Sequence, residues 1–164
     1  KEPEATIPLR TASLYTLAQL YMVQEDYDKG IELILQWMDE IEKVTAQSYS
    51  LLSQAYFQQS KYIKARDAML EAVRLAEEEE GYRPKENWYV LLAACYAELE
   101  TAKVISKAAS LQKQLEIYEI LVNFYPKKLY FIQLGGVYSQ MDREKDQMIT
   151  YKAAYQKDLL EESH

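Results

Sequence analysis

Apolar residues recur three and four positions apart along most of this 164-residue chain, the spacing of helices with one buried face. In "EDYDKGIELILQWMDEI" the residues Tyr27, Gly30, Ile34 and Trp37 fall on one face. In "SKYIKARDAMLEAVRLA" the residues Tyr62, Ala65, Met69 and Ala72 repeat the same spacings of three, four and three. A shorter motif precedes each run: "LAQLY" from Leu17 and "LSQAY" from Leu52. It returns as "LAACY" from Leu92 and "LGGVY" from Leu134, at intervals of 35, 40 and 42 residues. Three residues before each Leu stands a large apolar or aromatic side chain: Leu14, Tyr49, Tyr89 and Phe131. The pattern predicts a helix, a short polar turn and a second helix, about four times over. The array is expected over 11–163, in units near 11–44, 46–81, 86–126 and 128–160, with 1–10 a linker or the end of a preceding repeat. Gly and Ala mark the places where the two backbones of a pair approach closely, Gly135 and Gly136 included.

This pattern resembles the tetratricopeptide repeat, whose period is about 34 residues. The resemblance implies an all-α, right-handed superhelical solenoid of helix-turn-helix pairs. The third unit departs from it, with about nine extra residues in "LETAKVISKAASLQKQ". Val104, Ile105, Ala108, Leu111 and Leu115 keep a helical period there, so Leu99–Ser110 is expected to lengthen the helical structure and delay the second helix. Pro126 closes that unit. The second helix of the fourth unit, "REKDQMITYKAAYQKDLL", is the most polar and is expected to cap the stack, since a last repeat has no neighbour to cover it. Between the second and third units lies "EEEEGYRPKEN". Gly81 reads there as a helix C-cap and Pro84 as a block to continuation. The four Glu read either as a solvated acidic edge or as a docking site for a basic segment.

Composition supports the helical reading and narrows the chemistry. Four Gly and four Pro leave little material for the turns of an all-β fold, and 15 Tyr against 3 Phe and 2 Trp make the usual large packing residue one with a polar tip. A net charge of −7 argues against a nucleic-acid partner. No apolar run approaches the roughly 18 residues of a membrane span. Lys1 in place of Met reads as the start of a processed chain or of a piece, and the terminal His164 as the stub of a tag. With one His and one Cys there is no Cys–His pair in reach and no Cys/His metal site. No phosphate-binding glycine loop is present either, because "LGGV" lies inside a helix. No cofactor, metal or catalytic residue is expected. Cys95 takes the slot of Leu20, Ala55 and Val137 in the sister motifs, where it behaves as a small hydrophobe. A small-ligand binder or enzyme using Cys95 is the weakest reading.

Repeat arrays of this kind present a concave surface lined by the first helix of each unit. The register names Tyr15, Gln19 and Met22, then Ser50, Gln54, Phe57 and Gln58, as candidate partner-binding residues. Val90, Ala94, Ala97 and Glu98 follow in the third unit, and Ile132 and Gln140 in the fourth, beside Gly136 and Ser139. Only Glu98 is charged. Co-chaperone repeats that grip a C-terminal carboxylate use Lys, Arg and Asn at such positions, and this set has none of them. The expected mode is capture of a protein segment through apolar contacts, with glutamine amides on its backbone.

Three segments carry a narrower resemblance: "RPKENWYVLL", "NFYPKKLYFIQLGGVYSQMDREKDQ" and "AAYQKDLL". They resemble bacterial tetratricopeptide proteins described as components of TonB energy-transduction systems in Gram-negative bacteria. That resemblance implies the periplasm and an accessory role in uptake through outer-membrane receptors, with TonB or a component of its system as partner. The alternatives are a general periplasmic assembly or cell-envelope adaptor and, for location, the cytoplasm.

Overall fold

The computed structural model describes residues 6–41 and 43–161. These residues form eight α-helices, one π-helical turn and no strand. They fall into two compact units, Lys1–Pro84 and Lys85–His164.

The first unit holds α1 (Thr6–Val23), α2 (Tyr27–Glu40), α3 (Ala46–Gln58) and α4 (Tyr62–Arg74), with α4 running on into a π turn at Leu75–Glu79. Each helix packs on the next. Ala18, Ile31, Ile34, Leu51, Leu52, Ala55 and Ala68 form one buried cluster, with Tyr15, Met22, Met38, Tyr49 and Tyr56 packed around it. Small residues set the spacing of the pairs. A Cβ at Gly30 would lie 3.0 Å from Met22 Sδ and 3.7 Å from the Ala18 carbonyl oxygen. In the next pair the buried Ser53 hydroxyl donates to the Ala65 carbonyl at 2.6 Å. That bond satisfies a polar group that would otherwise cost free energy.

The second unit holds α5 (Glu86–Thr101), α6 (Lys107–Phe124), α7 (Lys128–Gln140) and α8 (Glu144–Glu161), again packed in sequence. Leu111, Leu115, Leu134, Val137 and Tyr138 form its α6–α7 cluster, with Tyr118, Val122 and Met141 against it. Cys95 is fully buried in α5. Ser110 donates to the Tyr96 carbonyl at 3.2 Å, joining α6 to α5.

One turn design closes all four pairs. Glu25, Ser60, Lys103 and Asp142 each take φ between 56° and 61°. The N–H following each positive-φ residue bonds back to a carbonyl five residues earlier. Asp26 bonds to Tyr21, Lys61 to Tyr56 and Arg143 to Tyr138, all at 2.9 Å. This is the left-handed helix stop that satisfies orphan carbonyls at a C-terminus. The Tyr of the five-residue motif is thus the residue whose carbonyl ends the first helix. In the third pair the same bond runs from Val104 to Leu99, so the stop has moved three residues along.

That shift corrects the expected insertion. From motif Tyr to the start of the second helix is six residues in three pairs (Tyr21–Tyr27, Tyr56–Tyr62, Tyr138–Glu144) and eleven in the third (Tyr96–Lys107). Five residues are added, not nine, so α6 does begin late, at Lys107, but by five residues. Three of them extend α5 by most of a turn. The other two lengthen the link up to Ser106, whose side chain accepts from Ala109 N–H at 3.1 Å as an N-cap.

Two other expectations change. Helix α1 begins at Thr6, so residues 6–10 belong to the first helix and not to a linker; Lys1–Ala5 and His164 lie outside the described residues. The run after α4 is largely engaged within its own unit. Arg74 grips Glu71 through two bonds of 2.7 and 3.0 Å and also reaches Glu78 and Glu79. Glu80 accepts the Ala46 N–H at 2.8 Å, capping α3, while Gly81 at φ 70° ends the π turn as expected of a C-cap. Helix α8 is the most polar of the helices, as expected, yet Met148, Ile149, Tyr151 and Tyr155 are exposed along it. No helix of the described residues is long and apolar enough to cross a membrane.

Candidate partner-binding surface

The motif register aligns the first helices α1, α3, α5 and α7, and burial separates the candidate residues into two groups. In the first unit several of them pack inward. Tyr15 sets its ring 4.8 Å from that of Trp37 on α2. Met22 fills the space above Gly30. Ser50 is fully buried, with its hydroxyl donating to the Gln47 carbonyl at 2.9 Å, so it presents nothing to a partner. Phe57 meets Tyr62 edge-on at 5.3 Å. The surface left there is a row of amides. Gln19 and Gln58 are exposed and Gln54 is half-buried, while Gln19 donates to the Tyr15 hydroxyl at 3.0 Å.

In the second unit the same positions stay open. Val90 and Ala97 are exposed on α5, with Ala94 and Glu98 half-buried beside them. On α7, Ile132, Ser139 and Gln140 are exposed. Gly136, half-buried between them, differs from its neighbour. A Cβ there would meet nothing within 4 Å, whereas a Cβ at Gly135 would fall 2.3 Å from the Tyr151 ring of α8. Gly135 therefore serves helix contact and Gly136 does not.

Helices α5 and α7 are tied at their N-termini. Glu86, in the first turn of α5, accepts from Lys127 Nζ at 2.7 Å and from the Tyr130 hydroxyl. Bonds from Lys127, then from Tyr130, hold the Glu86 carboxyl below the usual carboxylate range. Burial, reinforced by the bond to Glu86, pushes the Tyr130 phenol up to about 12. A carboxylate in a first helical turn also sits well with the helix dipole. The tie fixes two first helices side by side, and it was not among the residues the repeat register singled out. Its signal was available: "PKENW" and "YPKKLY" place an acid and a base at the starts of neighbouring first helices.

The described residues contain no group of three or more His, Cys, Asp or Glu arranged to hold a metal ion. The exposed residues can offer apolar contact, amide hydrogen bonds and close backbone approach.

No protein-family profile matches this sequence, and no curated protein does. Among solved structures, a crystal structure of MamA superposes with a TM-score of 0.73 at 19% identity, covering 96% of this chain and 83% of that one. A second MamA structure gives 0.72 at 19% identity, covering 96% and 78%. A third, MamA of AMB-1, gives 0.69 at 17% identity, covering 90% and 73%. MamA is a helical repeat protein of the tetratricopeptide type, and at these identities the likeness speaks to architecture. The chain has the all-α tetratricopeptide-type repeat fold that its motif spacing predicts.

Proposed function

We propose that this chain is a non-enzymatic scaffold that binds a segment of another protein along the first helices of its repeats. The observation that carries the proposal is the face shared by α5 and α7. Val90, Ala97 and Ile132 are exposed there beside the open backbone at Gly136, with Glu98 the one charged residue of the register set. Exposed apolar and small side chains on tied neighbouring helices are a docking surface rather than a reaction centre. The single thiol, Cys95, is buried away from that face.

In its finer form, the partner belongs to a TonB-type uptake system and the scaffold works in the periplasm of a Gram-negative bacterium. The support is the sequence resemblance of "RPKENWYVLL", "NFYPKKLYFIQLGGVYSQMDREKDQ" and "AAYQKDLL". The test is a pull-down from periplasmic extract with the wild-type chain and the double variant V90D/I132D. Recovery of TonB or its receptors by the wild type, lost in the variant, is the expected result. A different partner lost in the same way keeps the scaffold and discards the TonB assignment, leaving a general envelope adaptor. Equal recovery of every partner by both proteins overturns the proposed surface.

A further inference from the structure

Beyond the tie at their N-termini, α5 and α7 are almost free of charge. From Asn87 to Ala97 helix α5 carries no acidic or basic residue, and from Leu129 to Gln140 helix α7 carries none. Glu98 ends the first of these stretches. It lies at helical spacing from Val90 and Ala94, next to Ala97, and so on the face of α5 that those residues present. Its register counterparts in the other first helices are Val23, Gln58 and Gln140, all neutral. The repeat itself therefore has no need of an acid at this position.

Glu98 is also placed at a cost that nothing in the chain offsets. It is half-buried, and among the described residues its carboxyl accepts no hydrogen bond and joins no ion pair. Other half-buried carboxylates are engaged: Glu40 by Arg10 at 3.0 Å, Glu71 by Arg74 at 2.7 Å and Glu86 by Lys127 at 2.7 Å. Glu100 is likewise half-buried and unpaired, but two residues on it leaves this face of the helix. The nearby Thr101 hydroxyl is spent on the Ala97 carbonyl at 3.1 Å. Glu98 stands in the last turn of α5, which holds no basic residue. There the negative end of the helix dipole opposes a carboxylate and favours a cation. Departures of this kind from local preference are expected where a partner supplies the missing charge.

We propose that the segment docking on this face is cationic, an apolar stretch of another protein with a Lys or Arg set against Glu98. The inference rests on the reading of α5 and α7 as a docking surface and names the chemistry that surface selects. A bound ammonium or guanidinium forms charge-assisted hydrogen bonds with the free carboxylate and also answers the dipole at the end of α5. Its aliphatic stem covers Ala97 and Val90, while the neighbouring apolar side chains of the segment meet Ile132. The chain's net charge of −7 draws basic partners in the same sense.

A random peptide library displayed on phage tests this, selected on the wild-type chain and counter-selected on the neutral double variant V90S/I132S. The peptides that only the wild type retains are expected to be enriched in Lys and Arg. Synthetic copies should bind Glu98→Gln about tenfold more weakly in calorimetric titration. Glu98→Lys should prefer copies in which the basic residue is replaced by Glu. Without peptide, Glu98→Gln should melt at or above the wild-type temperature, because an uncompensated charge has been removed. Retained peptides with no basic enrichment, or with equal affinity for the wild type and Glu98→Gln, overturn the cationic assignment and leave the docking face standing. A lower melting temperature for Glu98→Gln overturns it too, since Glu98 would then serve the fold. If no peptide distinguishes the wild type from V90S/I132S, the docking face itself falls, and this inference with it.

Discussion

Gly135 and Gly136 are adjacent and alike in sequence, yet the structure assigns them opposite sensitivities. A methyl at 135 runs into the Tyr151 ring, so Gly135→Ala must push α7 and α8 apart or swing the ring outward. Overpacking of that kind costs about 1–3 kcal/mol. A methyl at 136 meets open space, so Gly136→Ala gains only the helix-propensity difference, about 1 kcal/mol of stability. Urea denaturation of the two variants checks both signs. If the open space at Gly136 is where a bound segment lies, Gly136→Ala should stabilise the fold while weakening capture of the partner. At this scale the sequence was legible where neighbours in the register agree. Cys95 shares its slot with Leu20, Ala55 and Val137, and all but Leu20 are buried. Ser50 was misread because its burial depends on the surrounding helices, which its own spacing does not encode.

Among elements, the four pair-closing turns share one geometry but not one residue type. None of Glu25, Ser60, Lys103 and Asp142 is a glycine, so each carries a Cβ in the left-handed region. That conformation costs an ordinary L-residue roughly 1–2 kcal/mol, and Asp or Asn somewhat less. Ser60→Gly is expected to raise stability by about 1 kcal/mol. Asp142→Gly should gain less, because a short acidic side chain already tolerates the geometry. Thermal or urea unfolding of the pair gives the order, and no gain at Ser60 contradicts the account. The missing glycines also explain the miscounted insertion. The apolar period of Val104, Ile105, Ala108 and Leu111 begins directly after Lys103 and runs into α6, so nothing in the composition marks the stop. Where Gly81 does mark one, the helix end was legible.

For the whole molecule, the repeat period carried the architecture, because each pair buries its small residues against the next helix and so writes its spacing into the sequence. Exposure was not written there. Tyr15 and Ser50 hold the same register positions as Val90 and Ile132, yet Tyr15 is half-buried against Trp37 and Ser50 fully buried where the latter pair is exposed, since the covering side chains differ between the two units. The tyrosines make such differences measurable. Burial raises the phenols of Tyr82, Tyr118, Tyr130 and Tyr138, and the carboxylates of Glu80, Glu86 and Glu119 add to the effect at Tyr82, Tyr130 and Tyr138. For Tyr130 the folded value reaches about 12, against about 10 in an unfolded chain. A phenol raised by folding contributes stability that is fully present below pH 10 and is lost as the pH climbs toward 12, since only the unfolded chain ionises freely in that window. The ultraviolet absorbance titration of the native protein should therefore show a late phase from these four phenols, and denaturant should remove it. Tyr130→Phe should remove the latest step and flatten the fall in stability between pH 10 and 12. It should also cost about 1 kcal/mol near neutrality, through the lost bond to Glu86. A native titration with a single step near pH 10, unchanged in the Phe variant, would show that the α5–α7 tie does not hold Tyr130 in solution.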